Sequence, residues 1–347
     1  MSKHREMNSD EALAFLARAP AMQVAGTDEA GAPLLRTLHG VVVDGAIAFH
    51  GGPRGEKSAL SGRPVVVAAE EIVARIPSWM RHPERACPAT TFYRSVQAHG
   101  VLEELQDGEE KARILQALME RFQPEGRHTP ITAADPLYAA AVRGLRVTRL
   151  HPTRIVGRVK LGSHLGPGER QGVLRGLWQR GEPGDLAAIE AILAENPDTP
   201  PIFSLPEGVR VCLCPGPEDA RAAAKLLADA YWNLDQTEAQ LEAAHLGSGA
   251  WIVLRDAAGL LATARAISDR AKRAWIYDVA VRPEARRQGF GKSLLAILLD
   301  HPVIRGAELN LGTRDAQGLY ASFGFLPRHE LPPRPYVTTW MVRARAP

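Results

Sequence analysis

Two stretches in the last third of the chain carry side chains whose types and spacing can do chemistry. In the first, Trp275 to Leu295, an apolar strand bearing Asp278 stops at Pro283, a basic turn follows, and a helix begins at Gly291. Such a turn aims backbone N–H groups and converging peptide dipoles at one point, which favours a phosphate group. Gly289 and Gly291 leave room for close approach, and Arg286, Arg287 and Lys292 can add charge-assisted contacts. A plain strand, turn and helix with solvated arginines is the competing reading. The second stretch, Leu309 to Phe325, places Tyr320 one helical turn after Ala316 and just before a glycine stop. A tyrosine hydroxyl can protonate a leaving anion. Asp278 can take a proton from an attacking group, or it can be a structural aspartate. Asp315 reads as the N-cap of the helix that carries Tyr320.

An alternation of strands and helices must hold these residues. Beyond the proline cluster Asn196 to Pro201, the pattern predicts strand 209–213, helices 217–230 and 237–244, and strands 250–255, 260–267 and 274–281. Helix 291–300, strand 308–312, helix 316–323 and strand 337–342 follow. That order indicates an α/β sheet. The stretch before it predicts helices over 168–180 and 184–195, and the proline cluster is the best linker candidate, because proline stiffens the chain and removes donors.

The paired blocks resemble the Gcn5-related N-acetyltransferase (GNAT) family. Its R/Q-x-x-G-x-G/A pyrophosphate loop matches Arg286, Gly289 and Gly291, and its later L-Y-x-x-x-G-F block matches Leu319 to Phe325. The resemblance implies an acyl-CoA donor, acetyl-CoA first of all, whose pantetheine pairs with the strand around Val279 to Val281. Tyr320 then matches the residue that protonates the leaving thiolate of coenzyme A. It also implies a small amine as acceptor and places Tyr231 to Asn233 near the acceptor pocket, where Trp232 either lines the pocket or is a core residue. A narrower group within the family is matched by Ala264 to Asp269, but it carries histidine where this chain has Gln317.

The first part reads as one helix followed by many short strands. Ser9 can cap Asp10 to Arg18, and apolar segments recur over 22–25, 34–39, 41–43, 46–50 and 64–69. A strand over 93–105 and a helix over 108–122 come next. This is the order of a small antiparallel barrel flanked by helices. The loop Phe49 to Lys57, with His50 and Lys57, and the later Tyr93-Arg94-Ser95 resemble the flavin-mononucleotide (FMN)-binding split barrel of the pyridoxamine 5′-phosphate oxidase superfamily. By that match Lys57 and Ser95 contact the flavin phosphate, and Arg36, Thr37 and His50 lie along the ring or ribityl chain. The match also implies a homodimer. His39, His50 and His99 fall on different strands without a carboxylate partner, so no metal site is expected.

The expectation is therefore a two-domain α+β protein: a split barrel over 1–160, a helical segment and linker over 161–206, and a mixed-sheet GNAT domain over 207–347. Its 347 residues suit two domains. A net charge of +3 without a basic stripe does not imply nucleic acid as a partner. Three cysteines without C-x-x-C spacing suit a reduced, cytoplasmic setting, with Cys212 and Cys214 on one face of a strand. No apolar run is long enough to suggest a membrane span. The function so implied is acyl transfer to an amine by a chain that also binds flavin. The alternative is a flavin-dependent oxidoreductase or redox sensor with the acyltransferase module as an accessory.

Overall fold

The computed structural model describes residues 4–52, 55–332 and 341. The strand expected over 337–342 falls, apart from Met341, outside the described residues. The chain divides into two compact units, Met1–Ile202 and Phe203–Pro347.

In the first unit, β1 (Arg5–Met7) leads into α1 (Ser9–Arg18). The cap of α1 is Asn8 and not Ser9: the Asn8 side chain accepts from the Glu11 amide at 2.8 Å, and the Glu11 carboxylate accepts from the Asn8 amide at 3.0 Å. There follow β2 (Met22–Thr27), β3 (Pro33–Leu38), β4 (Val41–Val43), β5 (Ala46–Gly51), β6 (Pro64–Ile76) and β7 (Thr90–Glu104). Then come α2 (Gly108–Phe122), α3 (Pro136–Gly144), β8 (Arg146–Leu150), β9 (Arg154–Lys160), α4 (Pro167–Arg180) and α5 (Asp185–Glu195). All nine strands pair antiparallel, in the order β3-β2-β6-β7-β8-β5-β4, with β9 against β7 and β1 against β9.

Strand β7 organises this unit. One edge pairs with β6 over most of its length, while the other pairs with β9 through Tyr93–His99 and then with β8 through Leu102–Glu104. A strand that changes partner partway turns a flat sheet into a curled one. The interior is filled by Val24, Val67, Val96, Leu102 and Leu150, with Phe15 and Leu16 of α1 packed against them. Helix α2 covers a second cluster, setting Ile114, Leu115 and Leu118 against Val41, Ala48 and Val147. Each such side chain contributes roughly 1.5–3 kcal/mol by leaving water. The proline cluster is anchored within this unit: Asn196 donates to the Leu161 and Ile192 carbonyls, both at 2.9 Å, and Thr199 accepts from Arg170 at 2.8 Å.

The second unit contains β10 (Arg210–Cys212), α6 (Pro217–Leu227), α7 (Glu238–Leu246), β11 (Ala250–Asp256), β12 (Gly259–Ser268), β13 (Arg273–Val281), α8 (Phe290–Leu299), β14 (Glu308–Asn310) and α9 (Gln317–Ala321). Its sheet runs β10-β11-β12-β13-β14, antiparallel up to β13 and parallel between β13 and β14. Cys212 ends β10, so Cys214 lies beyond the strand and does not share a strand face with it.

His301 follows α8 with only 1% of its surface exposed, and its Nδ1 accepts from the Val303 amide at 3.2 Å. Burial, then Arg270 and Arg305, depress its pKa from 6.5 to about 4, against a smaller upward pull from Asp300. A depressed histidine leaves the unfolded chain holding the extra proton between those values. The associated stability is thus present above pH 6.5 and is lost as pH falls toward 4, by at most about 3 kcal/mol. The expected result is that His301→Asn, which keeps an acceptor for Val303, loses less stability than wild type between pH 7 and pH 4 in urea unfolding. Equal losses would refute the assignment.

Candidate functional site

The bulge in β13 sets the geometry of the second unit's site. Opposite β12 the register shifts between Thr263 and Arg265, so that β13 accommodates Asp278 and Val279 where β12 supplies Ala264. Asp278 adopts φ 53°, the left-handed region, which aspartate tolerates better than most residues. On its other edge β13 pairs with β14 only through Arg273–Trp275. Beyond Trp275 the two strands part, and the edge of Val279–Val281 is left open along that side.

That edge runs into the basic turn. Arg286 Nε donates to the Val281 carbonyl at 3.1 Å, which folds the turn back on the strand end. Arg287 has φ 61° and Gly289 φ 90°. Only glycine adopts the latter without strain. Helix bonding inside α8 begins with Lys292 and Ser293 donating to the Gly289 carbonyl, so the Phe290 and Gly291 amides precede the first intrahelical bond. A Cβ on Gly291 would stand 3.6 Å from Val281 Cγ2, which measures how close the helix start lies to the strand. Arg286, Arg287 and Lys292 are exposed, and none pairs with a carboxylate among the described residues. The result is an anion cradle continuous with an open strand edge.

Tyr320 is 9% exposed and meets the Phe325 ring edge-on at 5.9 Å. Burial, then Tyr231 and Asp315, push its hydroxyl above the ordinary tyrosine range, so it stays protonated at neutral pH and can act as a donor. Tyr231 in turn accepts from the Arg314 amide at 2.9 Å, and the Arg314 guanidinium lies 3.7 Å from its ring centroid. Asp315 is not the cap of α9. Thr313 Oγ1 accepts the Ala316 amide at 3.1 Å, while Asp315 sits 3.8 Å from Arg314.

Asp278 is 6% exposed, and both of its carboxylate oxygens accept hydrogen bonds. Oδ1 accepts from Trp232 Nε1 at 2.9 Å and from Asn233 Nδ2 at 3.1 Å, and Oδ2 accepts from Arg265 Nε at 2.6 Å. Burial pulls its pKa up, but the Arg265 charge and the hydrogen bonds from Asn233, Arg265 and Trp232 outweigh it and hold the group below the usual carboxylate range. The guanidinium of Arg265 also donates to Ser248 at 3.3 Å and lies 5.0 Å from the Tyr277 ring centroid. Arg265, 13 residues earlier on the neighbouring strand, is the partner that sequence reasoning did not assign. The bulge that turns Asp278 toward it leaves no mark in residue periodicity.

In the first unit, Arg36, His50 and Lys57 gather around the turn at Glu56–Leu60. Arg36 Nε donates to Glu56 at 2.6 Å. Burial lowers the Lys57 pKa; burial, then Lys57, lowers that of His50. A pocket opens here, lined by Gly51, Gly52, Gly55, Lys57, Arg146 and Thr148. Arg146 was not singled out from sequence; it stands opposite Gly51 in the register of β5 and β8. Thr37 pairs with exposed Gln23, whereas Arg36 pairs with buried Val24, so the two lie on opposite faces of the sheet. Ser95 pairs with Glu70 and Arg158, both exposed, on the outer face of β7, and it does not line the pocket that holds Lys57. Among the described residues no group of histidine, cysteine and carboxylate side chains is arranged to hold a metal ion, and no helix is long and apolar enough to cross a membrane.

Residues 8–159 match the family model described as pyridoxamine 5′-phosphate oxidase, and residues 220–325 match the acetyltransferase (GNAT) family. No curated protein matches the chain. Among solved structures, a candidate GNAT acetyltransferase of Xanthomonas campestris pv. campestris shares 33% identity, covering 39% of this chain and 96% of that one, with a TM-score of 0.34. A candidate 5-nitroimidazole antibiotic resistance protein of Bacteroides thetaiotaomicron shares 20%, covering 45% and 87%, at 0.36. The FAD and heme binding protein of Mycobacterium smegmatis shares 19%, covering 46% and 74%, at 0.38.

Removing one member of a buried ion pair strands the other's charge and costs about 3–5 kcal/mol. Asp278→Ala should therefore destabilise the protein by that order in urea unfolding, and Asp278→Asn by less, since it keeps an acceptor. A loss under about 1 kcal/mol for Asp278→Ala, the scale of an exposed pair, would contradict the network.

Proposed function

The chain joins a pyridoxamine 5′-phosphate oxidase-like domain at residues 8–159 to a GNAT acetyltransferase domain at residues 220–325, and from that pairing we propose that it transfers an acyl group from acyl-CoA to an amine while its barrel binds FMN. The observation that carries the first part is the continuity of the open Val279–Val281 edge with the cradle from Arg286 to Lys292. A pantetheine amide pairs with the strand edge, and the pyrophosphate takes the amides at the start of α8 and the charges of Arg286, Arg287 and Lys292.

The amine nitrogen attacks the thioester carbonyl carbon. The new C–N bond forms as the C–S bond breaks, the thiolate takes the Tyr320 proton, and the ammonium formed on attack releases its proton to solvent. Asp278 is a poor base for that step, because both its oxygens already accept hydrogen bonds and its pKa is lowered. It acts as a positioning residue that ties the loop bearing Trp232 to the donor strand. Arg286→Ala should weaken acetyl-CoA binding roughly tenfold or more in calorimetry, the loss of about one charge-assisted contact. Tyr320→Phe should lower kcat with little change in donor affinity. In wild type, the basic limb of the kcat profile should fall above pH 10, in keeping with the raised tyrosine. Full retention of acetyl-CoA binding by Arg286→Ala would sink the donor assignment.

For the barrel, the support is the match of residues 8–159 to the pyridoxamine 5′-phosphate oxidase family, together with a small hollow where three glycines meet Lys57 and Arg146. Glycine backbone without side chains and two cations suit a phosphate monoester. When bound, FMN supplies reversible hydride or electron transfer. Paired replacement of Lys57 and Arg146 by alanine should abolish uptake of added FMN, read as flavin absorbance retained after gel filtration. A wild-type protein that takes up no FMN would refute this part alone.

A further inference from the structure

On the face of the second unit's sheet that carries Arg265, aromatic rings stand exposed yet are held fixed. Trp232 is 43% exposed although its indole N–H is committed to Asp278, and Tyr277 is 40% exposed with the Arg265 guanidinium over its ring. Trp275, two residues away on the same strand face, lies nearly parallel to Tyr277 at 24° and 6.4 Å. Tyr231 meets Trp232 edge-on at 4.8 Å and is pinned through its hydroxyl to the Arg314 amide. Ile267, 53% exposed, stands opposite Trp275 in the β12–β13 register. Four of the chain's twelve tryptophans and tyrosines thus form one wall. It adjoins the point where β13 leaves β14, and Tyr231 is near enough to Tyr320 to shift its titration.

Two guanidinium groups already lie over these rings, Arg265 over Tyr277 and Arg314 over Tyr231. Asp278 is paired with Arg265, and Asp315 lies beside Arg314. A polyamine or other multiply cationic acceptor meets both guanidiniums at these rings and finds the two carboxylates beside them engaged, whereas a flat apolar body finds rigid rings that need no further ordering. We infer that the acceptor is a primary amine carried on an aromatic or similarly flat apolar group, an arylalkylamine, with Trp232 and Tyr277 as the residues that select it. The inference rests on the acyl-transfer reading above and adds the substrate class.

The test compares 2-phenylethylamine and tryptamine with spermidine and glycine as acceptors, using acetyl-CoA and reading free thiol release with the full-length protein. Arylalkylamines should show kcat/KM at least about tenfold above the other two, the scale of one good ring–ring contact together with its buried area. Trp232→Ala and, separately, Tyr277→Ala should move that ratio toward one through KM. Either variant suffices should the other fail to fold. Preference for spermidine or glycine, or a ratio unchanged in a folded variant, overturns the inference and leaves acyl transfer standing. If acetyl-CoA binds but no amine is acylated, titration of 2-phenylethylamine followed by tryptophan fluorescence decides: quenching lost in Trp232→Ala supports the wall as its binding site, and no quenching overturns it. Failure to bind acetyl-CoA at all is a separate result that removes the transferase reading itself.

Discussion

The buried pair of Asp278 and Arg265 is the constraint from which the second unit's site follows. A carboxylate and a guanidinium, both nearly withdrawn from water, are tolerable only when each is matched and hydrogen-bonded. To reach Arg265 the β13 backbone takes a left-handed turn at Asp278, and the bulge this creates sits where β13 has already lost β14 as a neighbour. The same carboxylate has lone pairs left over, and it spends them on Trp232 and Asn233 in the loop between α6 and α7. One ion pair therefore fixes a strand distortion and the loop that faces it.

This arrangement separates two tasks that a single acidic residue is often asked to share. A base must have a lone pair available and a pKa near the working pH. Asp278 is poorly suited on both counts, because the interactions that stabilise its burial engage both of its oxygens and lower its pKa. Tyr320 shows the opposite balance. Burial raises its pKa, and with its phenol protonated it is suited to give a proton away. The proton donor proposed for the site thus owes its raised pKa first to desolvation and then to Tyr231 and Asp315, while the carboxylate serves geometry.

Much of this was legible in the residues and some of it could not be. The turn from Arg286 to Gly291 announces itself because its meaning is local: glycines permit the backbone, and the helix start supplies the amides. Helix α2 begins at Gly108 and ends at Phe122 as its apolar spacing indicates, since its face is read every third or fourth residue. By contrast β6 runs on to Ile76, well past the apolar run that ends at Ala69, because its continuation at Glu70 and Glu71 is held by pairing with Arg94 and Ser95 of β7 and not by its own hydrophobicity. The short strands β1 and β9 were missed for the same reason, being strands only through each other and β7. Arg146 joins the barrel pocket through the register of β5 and β8, a relation across about a hundred residues that no spacing rule encodes.

The aromatic wall illustrates what such long-range relations contribute to function. Trp232 in sequence is ambiguous between core and surface, and its 43% exposure alone would leave it so. What distinguishes it is that the exposed ring is immobilised by a buried hydrogen bond. A surface tryptophan free to choose rotamers would cover itself against neighbouring apolar groups; one held at its N–H cannot, and keeps its face toward water. Tyr231 is also held at its hydroxyl, though it is half-buried and carries the Arg314 guanidinium over its ring. Selectivity in such a site resides in rigidity as much as in composition, because a flat ligand meeting pre-ordered rings gains the contact without the entropy cost of assembling them. The Asp278–Arg265 pair, by holding Trp232 at its N–H and lying against Tyr277 through its guanidinium, makes the proposed recognition surface a consequence of the bulge.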